Sequence, residues 1–256
     1  YVAVGGIGGE PDYEQRFAAI IKDVSKTLQE SNGNVKVYAL SGSEATRARL
    51  TEVMGQVASQ AKPEDDFLLL LIGHGTFDGV EYKLNLTGPD LSGADLANLC
   101  NRIPAKRQLV VNTTSASGGS LAALQKPGRG VIAATKSGTE KNATVFARYW
   151  VEALRDANAD VDKNEVISAL ETFQYATRKT ADFYESQKRL ATEHAMFDDT
   201  GKSAEGVRAA STATGQGILL SSFTLVRIGA AQKAAADPAK RELFDKKEEI
   251  ERKIDT

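Results

Sequence analysis

The stretch Leu68-Leu69-Leu70-Leu71-Ile72-Gly73-His74-Gly75 passes from a wholly apolar run into a glycine–histidine–glycine turn. A continuous apolar run of this length predicts a strand that is covered on both faces, as in a parallel sheet. The two glycines permit a tight turn and a close approach of a ligand to the backbone. His74 is therefore expected at the carboxyl end of a core strand, where a general base would be placed.

Short apolar runs alternate with helical patterns through the first 150 residues. Helical spacing is clearest over Tyr13–Leu28. This order predicts an α/β fold with a mostly parallel six-stranded sheet, helices on both faces, and a site beyond the carboxyl ends of the strands. The predicted strands are Tyr1–Val4, Val35–Leu40, Phe67–Ile72, Leu109–Val111 and Val131–Ala134, with a late sixth strand within Gly217–Ile228 and a surface hairpin over Phe77–Leu86.

A second strand end has the composition of a functional turn. The strand Leu109–Val111 runs into small and hydroxylated residues, Asn112–Gly119, and then into a short predicted helix, Ser120–Leu124. Successive backbone N–H groups at such a helix start can stabilise an oxyanion. The alternative is a serine- and threonine-rich helix cap without further function.

Together the two strand ends resemble the caspase, metacaspase and legumain class of cysteine peptidases. In that class one hydrophobic strand ends in His-Gly, and a second ends in a short turn with the catalytic cysteine. Metacaspases often read Asp-Ser-Cys-His-Ser-Gly in that turn, and legumains read Glu-Ala-Cys-Glu-Ser-Gly. Aligning the Ser-Gly pair with Ser117-Gly118 puts Ser115 in the cysteine position. His74 and Ser115 are 41 residues apart, near the ~50 typical of caspases.

The resemblance covers about residues 1–150 and the late strand near residue 220. It implies a caspase-like three-layer sandwich over residues 1–229 and a peptide or protein as substrate or ligand. By resemblance, the N–H groups of Gly75 and Ser115 would form an oxyanion hole. Residues bordering the substrate pocket would be Ser117, Gly118, Ser137 and Glu140, where Glu140 either selects a basic side chain or is a solvated charge.

The missing cysteine leaves three functional hypotheses. A thiol is partly ionised near neutral pH, whereas a serine hydroxyl needs much stronger activation. Cys100 is no replacement, because it lies on the preceding predicted helix and is expected to be a buried apolar residue. The hypothesis that we favour is a natural pseudo-peptidase. The alternatives are a cysteine peptidase whose nucleophile at Ser115 or Ala116 has been substituted, and a serine hydrolase that uses Ser115 and His74.

A calcium-loop pattern spans residues 160–171, within a predicted helical insertion over residues 144–194. Oxygen donors recur at the spacing of a twelve-residue EF-hand loop, and hard cations need such a cage of oxygens. Glu165 departs from the pattern at its sixth position, where glycine is usual. The alternative is an acidic connection between helices, Thr144–Asn158 and Val166–His194. The candidate ligands are Asp160, Asp162, Asn164, Ser168 and Glu171, with the backbone carbonyl of Val166.

The remaining features limit the function further. The glycines in Val4–Gly9 do not have dinucleotide-binding spacing. A net charge of −2 gives no basic surface for nucleic acid, and the longest apolar run is too short to span a membrane. Calcium is the one cofactor that the sequence suggests, and none is required by the resemblance. Residues 230–256 predict a charged helix that could contact a partner.

The compartment is not determined by the sequence. Tyr1 lies inside a strand-like run, which we interpret as the start of a trimmed or mature chain whose signal peptide would have been removed. The composition, with 41% hydrophobic and 26% charged residues, predicts a soluble globular protein.

Overall fold

The centre of the molecule is a six-stranded sheet. A computed structural model of the chain describes residues 1–32 and 35–237, together with residues 240, 243, 246, 247 and 250. Five strands are parallel and the sixth is an antiparallel edge strand, which confirms the predicted mostly parallel sheet. In spatial order the strands are β10 (Met196–Asp198), β8 (Arg129–Ala133), β7 (Arg107–Asn112), β3 (Asp66–Ile72), β1 (Val2–Gly5) and β2 (Tyr38–Leu40).

Both faces of the sheet are covered, and this explains the unbroken apolar sequence of β3. Leu68, Leu70 and Ile72 belong to the core on one face, while Leu69 and Leu71 belong to the core on the other. Alternate side chains of a strand point to opposite faces, so each layer of helices receives every second residue. The first face carries α1 (Pro11–Asn32), α5 (Phe146–Ala153) and α6 (Ala169–Ser186), and the second carries α2 (Arg47–Gln60), α3 (Gly93–Asn101) and α4 (Leu121–Leu124).

The prediction of the sixth strand was wrong in its position. The edge strand is β10, which pairs antiparallel with β8. The segment predicted as the sixth strand instead forms a short helix, α7 (Ile218–Ser222), and β11 (Thr224–Arg227), which pairs with β9 (Val166–Ser168) in a separate two-stranded ribbon. Three residues are too few to show a strand period. Phe197 packs in the core on one face of the sheet and Met196 packs against the core on the other.

A small antiparallel sheet follows His74 directly. It consists of β4 (Gly75–Phe77), β5 (Tyr82–Leu84) and β6 (Leu91–Ser92). The predicted surface hairpin is therefore confirmed, with its first strand beginning two residues earlier than expected. The buried Tyr82 and Leu84 attach it to the core on the second face.

The two helices of the predicted insertion are shorter than expected. Its first helix is α5, and its second, α6, begins at a capping box formed by Ser168 and Glu171. The helix ends at Ser186, and Lys188 follows with a φ of +52°. His194 therefore lies outside the helix that was predicted to contain it.

The charged C-terminal helix is described only at its start. The helix α8 (Gly229–Ala236) packs against α1 and β11. Most of the remaining predicted helix, including any partner surface on it, lies outside the described residues. Among the residues that the structure describes, no helix is long and apolar enough to cross a membrane.

Candidate functional site

The strand order defines where a site is expected. The strands β1 and β3 are neighbours in the sheet. The chain continues from β1 to β2 on one side of this pair and from β3 to β7 on the other side, so a crevice opens beyond the carboxyl ends of β1 and β3. Ligands of open α/β sheets bind at such a topological switch point. Gly8 follows β1 and His74 follows β3 at this edge, while Thr113 follows the neighbouring strand β7.

His74 is half-buried and faces the start of α1. Its ring makes edge contacts with Tyr13 and Phe17, at centroid distances of 4.8 Å and 5.3 Å. Burial lowers the pKa of His74 below its usual 6.5, while a hydrogen-bond contact with the Gly8 backbone opposes this shift. Burial therefore favours the neutral form of the imidazole.

Ser115 lies beside the residue that follows His74. It is buried, and its Oγ accepts a hydrogen bond of 3.4 Å from the N–H of Gly75. This bond is long and correspondingly weak. Among the hydrogen bonds of the described residues, none joins Ser115 to His74. The structure thus brings His74, Gly75 and Ser115 to one edge but makes no proton-transfer contact between the histidine and the serine.

The turn after Ser115 contains a left-handed residue that is not glycine. Ala116 has a φ of +56° and is completely buried. Its N–H donates to the carbonyl of Glu140 at 2.8 Å, and its carbonyl accepts from the N–H of Gly119 at 2.9 Å. Such a conformation costs of order 1 kcal/mol and persists only where the surroundings enforce it. The surrounding structure therefore enforces this strained turn at the carboxyl edge of the sheet.

The four predicted pocket residues are brought together, but they close on one another. Ser117 Oγ accepts from the N–H of Thr135 at 3.2 Å, and the N–H of Gly118 donates to Thr135 Oγ1 at 2.8 Å. A methyl group on Gly118 would collide with the backbone N of Ser137. Ser117 and Gly118 therefore pack directly against the segment that follows β8. The ring of Phe77, on β4, covers the same turn through contacts at Gly119 and Gly138.

Glu140 is engaged within the protein. Its carboxylate accepts from the backbone N–H groups of Lys136 at 2.9 Å and His194 at 3.1 Å, and it contacts His194 Nδ1 at 2.6 Å. The side chain predicted to select a basic substrate group thus links the loop after β8 to the segment that contains His194. The sequence placed His194 only at the end of a predicted polar helix, and no local pattern indicates its contact with Glu140, 54 residues away.

Sequence reasoning missed the cavity on the other side of His74. A space of about 400 Å³ lies between α1, the ends of β3 and β7, and the start of α5. Tyr13, Phe17, Arg16 and Arg148 contribute to its lining. The apolar spacing of α1 indicated a core-facing helix, and nothing in that spacing distinguishes a cavity wall from a packed core.

Gly75 is required by close packing, which gives a testable prediction. A Cβ at this position would lie 2.5 Å from Tyr82 Cε2, 2.6 Å from the Ser115 carbonyl oxygen and 2.7 Å from Thr114 Oγ1. We expect Gly75→Ala to lower the free energy of unfolding by about 1–3 kcal/mol through overpacking. Urea denaturation measures the change.

A matched variant controls for the glycine-to-alanine change itself. Gly55 lies inside α2, and a Cβ added there would have no other atom within 4 Å. Gly55→Ala is expected to raise the free energy of unfolding by about 0.5–1 kcal/mol. Equal effects of the two substitutions would contradict the packing role of Gly75.

The acidic loop forms a second site at the far end of α5. Carboxylate oxygens of Asp160, Asp162 and Glu171 all lie within 4.8 Å of one another, and this triad could bind a metal ion. Asp160 is buried, and Glu171 Oε1 accepts from the N–H of Val161 at 2.8 Å. Burial, with the neighbouring charges of Glu171 and Asp160, raises the pKa of Asp162. The three carboxylates therefore repel one another when no cation is bound.

The other candidate ligands make hydrogen bonds that shape the loop. Asn164 Oδ1 accepts from the N–H of Val166 at 2.8 Å, and its Nδ2 donates to Asp162 Oδ2 at 3.0 Å. Ser168 caps α6, its Oγ donating to Glu171 Oε2 at 2.8 Å. Val166 and Ser168 also belong to β9. The polar side chains of the loop are thus held by hydrogen bonds to one another and to the loop backbone.

The missing glycine at the sixth loop position has a structural explanation. Glu165 adopts the left-handed conformation there, with a φ of +65°. Its Oε2 accepts from the N–H of Ala231 at 2.9 Å, and its carbonyl accepts from the N–H of Ile228 at 2.9 Å. The side chain therefore holds the first turn of α8, a contact that glycine could not make.

The comparisons with known proteins concern the fold. No family model and no curated protein matches the chain. A crystal structure of protein GSU0716 from Geobacter sulfurreducens is similar, with a TM-score of 0.52 and 12% sequence identity, covering 84% of this chain and 94% of that chain. The class that the fold defines is a three-layer α/β protein with a mostly parallel central sheet.

Proposed function

We propose that this chain is a non-hydrolytic peptide-binding protein on a scaffold similar to the caspase and legumain class of peptidases. The observation that carries the proposal is the separation of His74 from Ser115 at one sheet edge. The serine hydroxyl accepts from Gly75, and the imidazole faces Gly8 and the aromatic residues of α1. A serine becomes a nucleophile when a base lies within hydrogen-bond reach. This arrangement favours binding over hydrolysis.

The test is incubation with a proteome-derived peptide mixture, followed by mass spectrometry of the bound and free fractions. We expect peptides to be retained intact, and Ser115 to remain unlabelled by a fluorophosphonate probe. Covalent labelling of Ser115 that disappears in His74→Ala would identify a serine hydrolase and overturn the proposal. Failure to retain any peptide would also overturn it.

A cysteine peptidase with a substituted nucleophile is the second candidate. Two observations favour it: the Gly75 N–H points at the γ atom of residue 115, and the next residue, Ala116, is strained. Oriented N–H donors and stored backbone strain are features that acyl-transfer sites use.

The variant Ser115→Cys separates these two functions. We expect its thiol to react with iodoacetamide no faster than a free thiol. His74→Ala should leave that rate unchanged, because the His74 ring contacts Tyr13 and Phe17 and makes no hydrogen bond to residue 115 among the described residues. Cys100 is a built-in reference, since burial raises the pKa of its thiol to about 11 and keeps it unreactive. Rapid labelling of Cys at position 115 that requires His74 would restore the enzyme hypothesis.

We also propose calcium as the ion of the acidic loop. The candidate donors, Asp160, Asp162 and Glu171, supply only oxygen atoms, and Ca²⁺ prefers several carboxylate and carbonyl oxygens in a flexible cage. The bound ion would neutralise the mutual repulsion of the three carboxylates. Its role would be structural, since the loop lies between α5 and α6 and contacts α8 through Glu165.

A further inference from the structure

The cavity beside His74 is placed and sized as a ligand site. Its volume of about 400 Å³ falls within the range of small-molecule pockets. It borders the crevice between β1 and β3, the switch point where ligands of open α/β sheets bind. Ser117 and Gly118 do not line this cavity.

The cavity wall is mainly apolar and aromatic. Tyr13, Phe17 and Ile20 of α1 form one side, and Phe183 of α6 contributes to another. The ring of His74 contacts the rings of both Tyr13 and Phe17. A wall of this kind favours a flat or extended hydrocarbon body.

Two arginines give the same cavity a positive charge. Arg16 and Arg148 are exposed, line the cavity, and make no ion pair with any residue in the described ranges. Each guanidinium lies over a tyrosine ring, with Arg16 5.2 Å from the Tyr13 centroid and Arg148 5.4 Å from the Tyr149 centroid. Such cation–π contacts hold the cations in place while leaving their N–H donors available.

The carboxylates near these arginines bind other groups. No acidic residue is among the described residues that line the cavity. Glu14, on the first turns of α1, accepts from the N–H of Gly8 at 2.8 Å. Glu152, one turn beyond Arg148, accepts from Tyr175 at 2.8 Å and pairs with Lys179 at 3.4 Å. Asp23, which lies beside Arg148 in a neighbouring depression, pairs with Arg155 at 3.3 Å. The cavity lining therefore combines an apolar wall with two arginines and no carboxylate.

We propose that the His74 cavity binds a carboxylate carried on an aryl or alkyl body. Arg16 and Arg148 pair with the carboxylate, since guanidinium groups match carboxylates with two parallel hydrogen bonds. Tyr13, Phe17 and Phe183 cover the body. The carboxylate belongs either to a free small acid or to the end of a peptide. In the second case the inference rests on the proposed function, and the experiment separates the two sources.

The test uses a matched series with one apolar body, measured by isothermal titration calorimetry. We expect 4-phenylbutyrate to bind at least about tenfold more tightly than 4-phenylbutan-1-ol, because charge-assisted hydrogen bonds are worth more than about 1.4 kcal/mol. The cation 4-phenylbutylamine is expected to bind most weakly. Raised salt should weaken the acid alone.

Arginine variants assign the charge to the cavity. We expect Arg16→Met and Arg148→Met each to weaken 4-phenylbutyrate binding about tenfold, while binding of the alcohol stays unchanged. Methionine keeps an unbranched stem of similar length, so the wall is preserved. Arg208→Met is the control, because Arg208 is exposed and outside the cavity lining, and no change is expected.

An acetylated tetrapeptide ending in phenylalanine separates the sources. Tighter binding of its free-acid form than of both its amide and 4-phenylbutyrate assigns the carboxylate to a peptide end, and the reverse order assigns it to a free acid. Equal binding of acid, alcohol and amine, or no binding of the acid at 10 mM, overturns the inference. If the protein retains peptides but does not distinguish these compounds, the proposed function stands and only the inference about the cavity fails. If it binds 4-phenylbutyrate but retains no peptide, only the proposed function fails.

Discussion

Arg129→Met is expected to lower the free energy of unfolding by about 3–5 kcal/mol, the largest effect that we predict for a single side chain. Arg129 is 1% exposed. It donates to Gln108 Oε1 at 2.9 Å, to the Leu124 carbonyl at 2.9 Å and to Asn101 Oδ1 at 2.8 Å. These three acceptors belong to different elements. Gln108 and Leu124 are buried, so the substitution would leave both without this donor where little water can replace it, whereas Asn101 is exposed and keeps its contact with Lys126.

Two opposing effects determine how the loss of Arg129 changes the free energy of unfolding. Burial lowers the pKa of the guanidinium, which reflects the cost of removing the charge from water. Methionine removes that cost but leaves the buried acceptors unpaired, at about 1–3 kcal/mol each. We expect the orphaned acceptors to dominate, because Gln108 also donates to the carbonyls of Cys100, Ile103 and Ala105 and cannot turn to another partner.

A neighbouring lysine supplies the control. Lys126 also donates to Asn101 Oδ1, at 3.3 Å, but its side chain is exposed. Lys126→Met is expected to change the free energy of unfolding by less than about 0.5 kcal/mol. Guanidinium chloride denaturation measures both variants. A loss below about 1 kcal/mol for Arg129→Met would mean that the polar network around it is not needed for stability.

Calcium is expected to stabilise the protein by about 2.7 kcal/mol at a free concentration one hundred times its dissociation constant. Asp162→Asn should abolish this response, because it removes one of the three carboxylate ligands. Asparagine keeps the shape of the side chain and the oxygen that accepts from the Asn164 N–H at 3.1 Å. Thermal unfolding with and without calcium measures the response.

Asp162→Asn is expected to affect stability differently when calcium is absent. In the calcium-free protein, burial raises the pKa of Asp162, so its contribution to stability is present below the ordinary carboxyl pKa and is lost as the pH rises through the raised value. Removing the charge should therefore leave the calcium-free protein equally or more stable at pH 7. If Asp162 only shaped the loop and bound no calcium, Asp162→Asn would lower the stability of the protein both with and without calcium.

Asp182→Asn is the matched control for this experiment. Asp182 is exposed on α6, outside the acidic triad. Its substitution should change neither the calcium response nor the calcium-free stability. A wild-type protein that shows no calcium-dependent shift at millimolar concentration would contradict the proposed ion, and so would an Asp162→Asn variant that keeps the wild-type shift.

The features that could be predicted from the sequence are local in origin. The unbroken apolar run Leu68–Ile72 predicts a strand covered on both faces, because each face of the sheet receives alternate residues. The acidic loop could be found for a similar reason, since twelve consecutive residues carry its oxygen donors. Even the departure at Glu165 was visible, although its cause, the contact with Ala231, was not.

The rest depends on residues that are distant in the chain. His74 contacts Tyr13 and Phe17, Glu140 binds His194, and Arg129 joins Gln108 to Leu124, and each contact exists only after the layers have packed. The direction of a side chain at a strand end is set by its neighbours in space and not by its neighbours in sequence.

Hydrophobic periodicity and ligand spacing are local patterns, so the alternating strands and helices, the position of His74 at a strand end and the acidic loop could be predicted without the structure. Tertiary structure alone decided that Met196–Asp198 forms the edge strand, that Ser115 accepts from Gly75 while His74 faces α1, and that an apolar cavity with two arginines opens there. Each of these follows from how separate elements pack, which no single segment encodes.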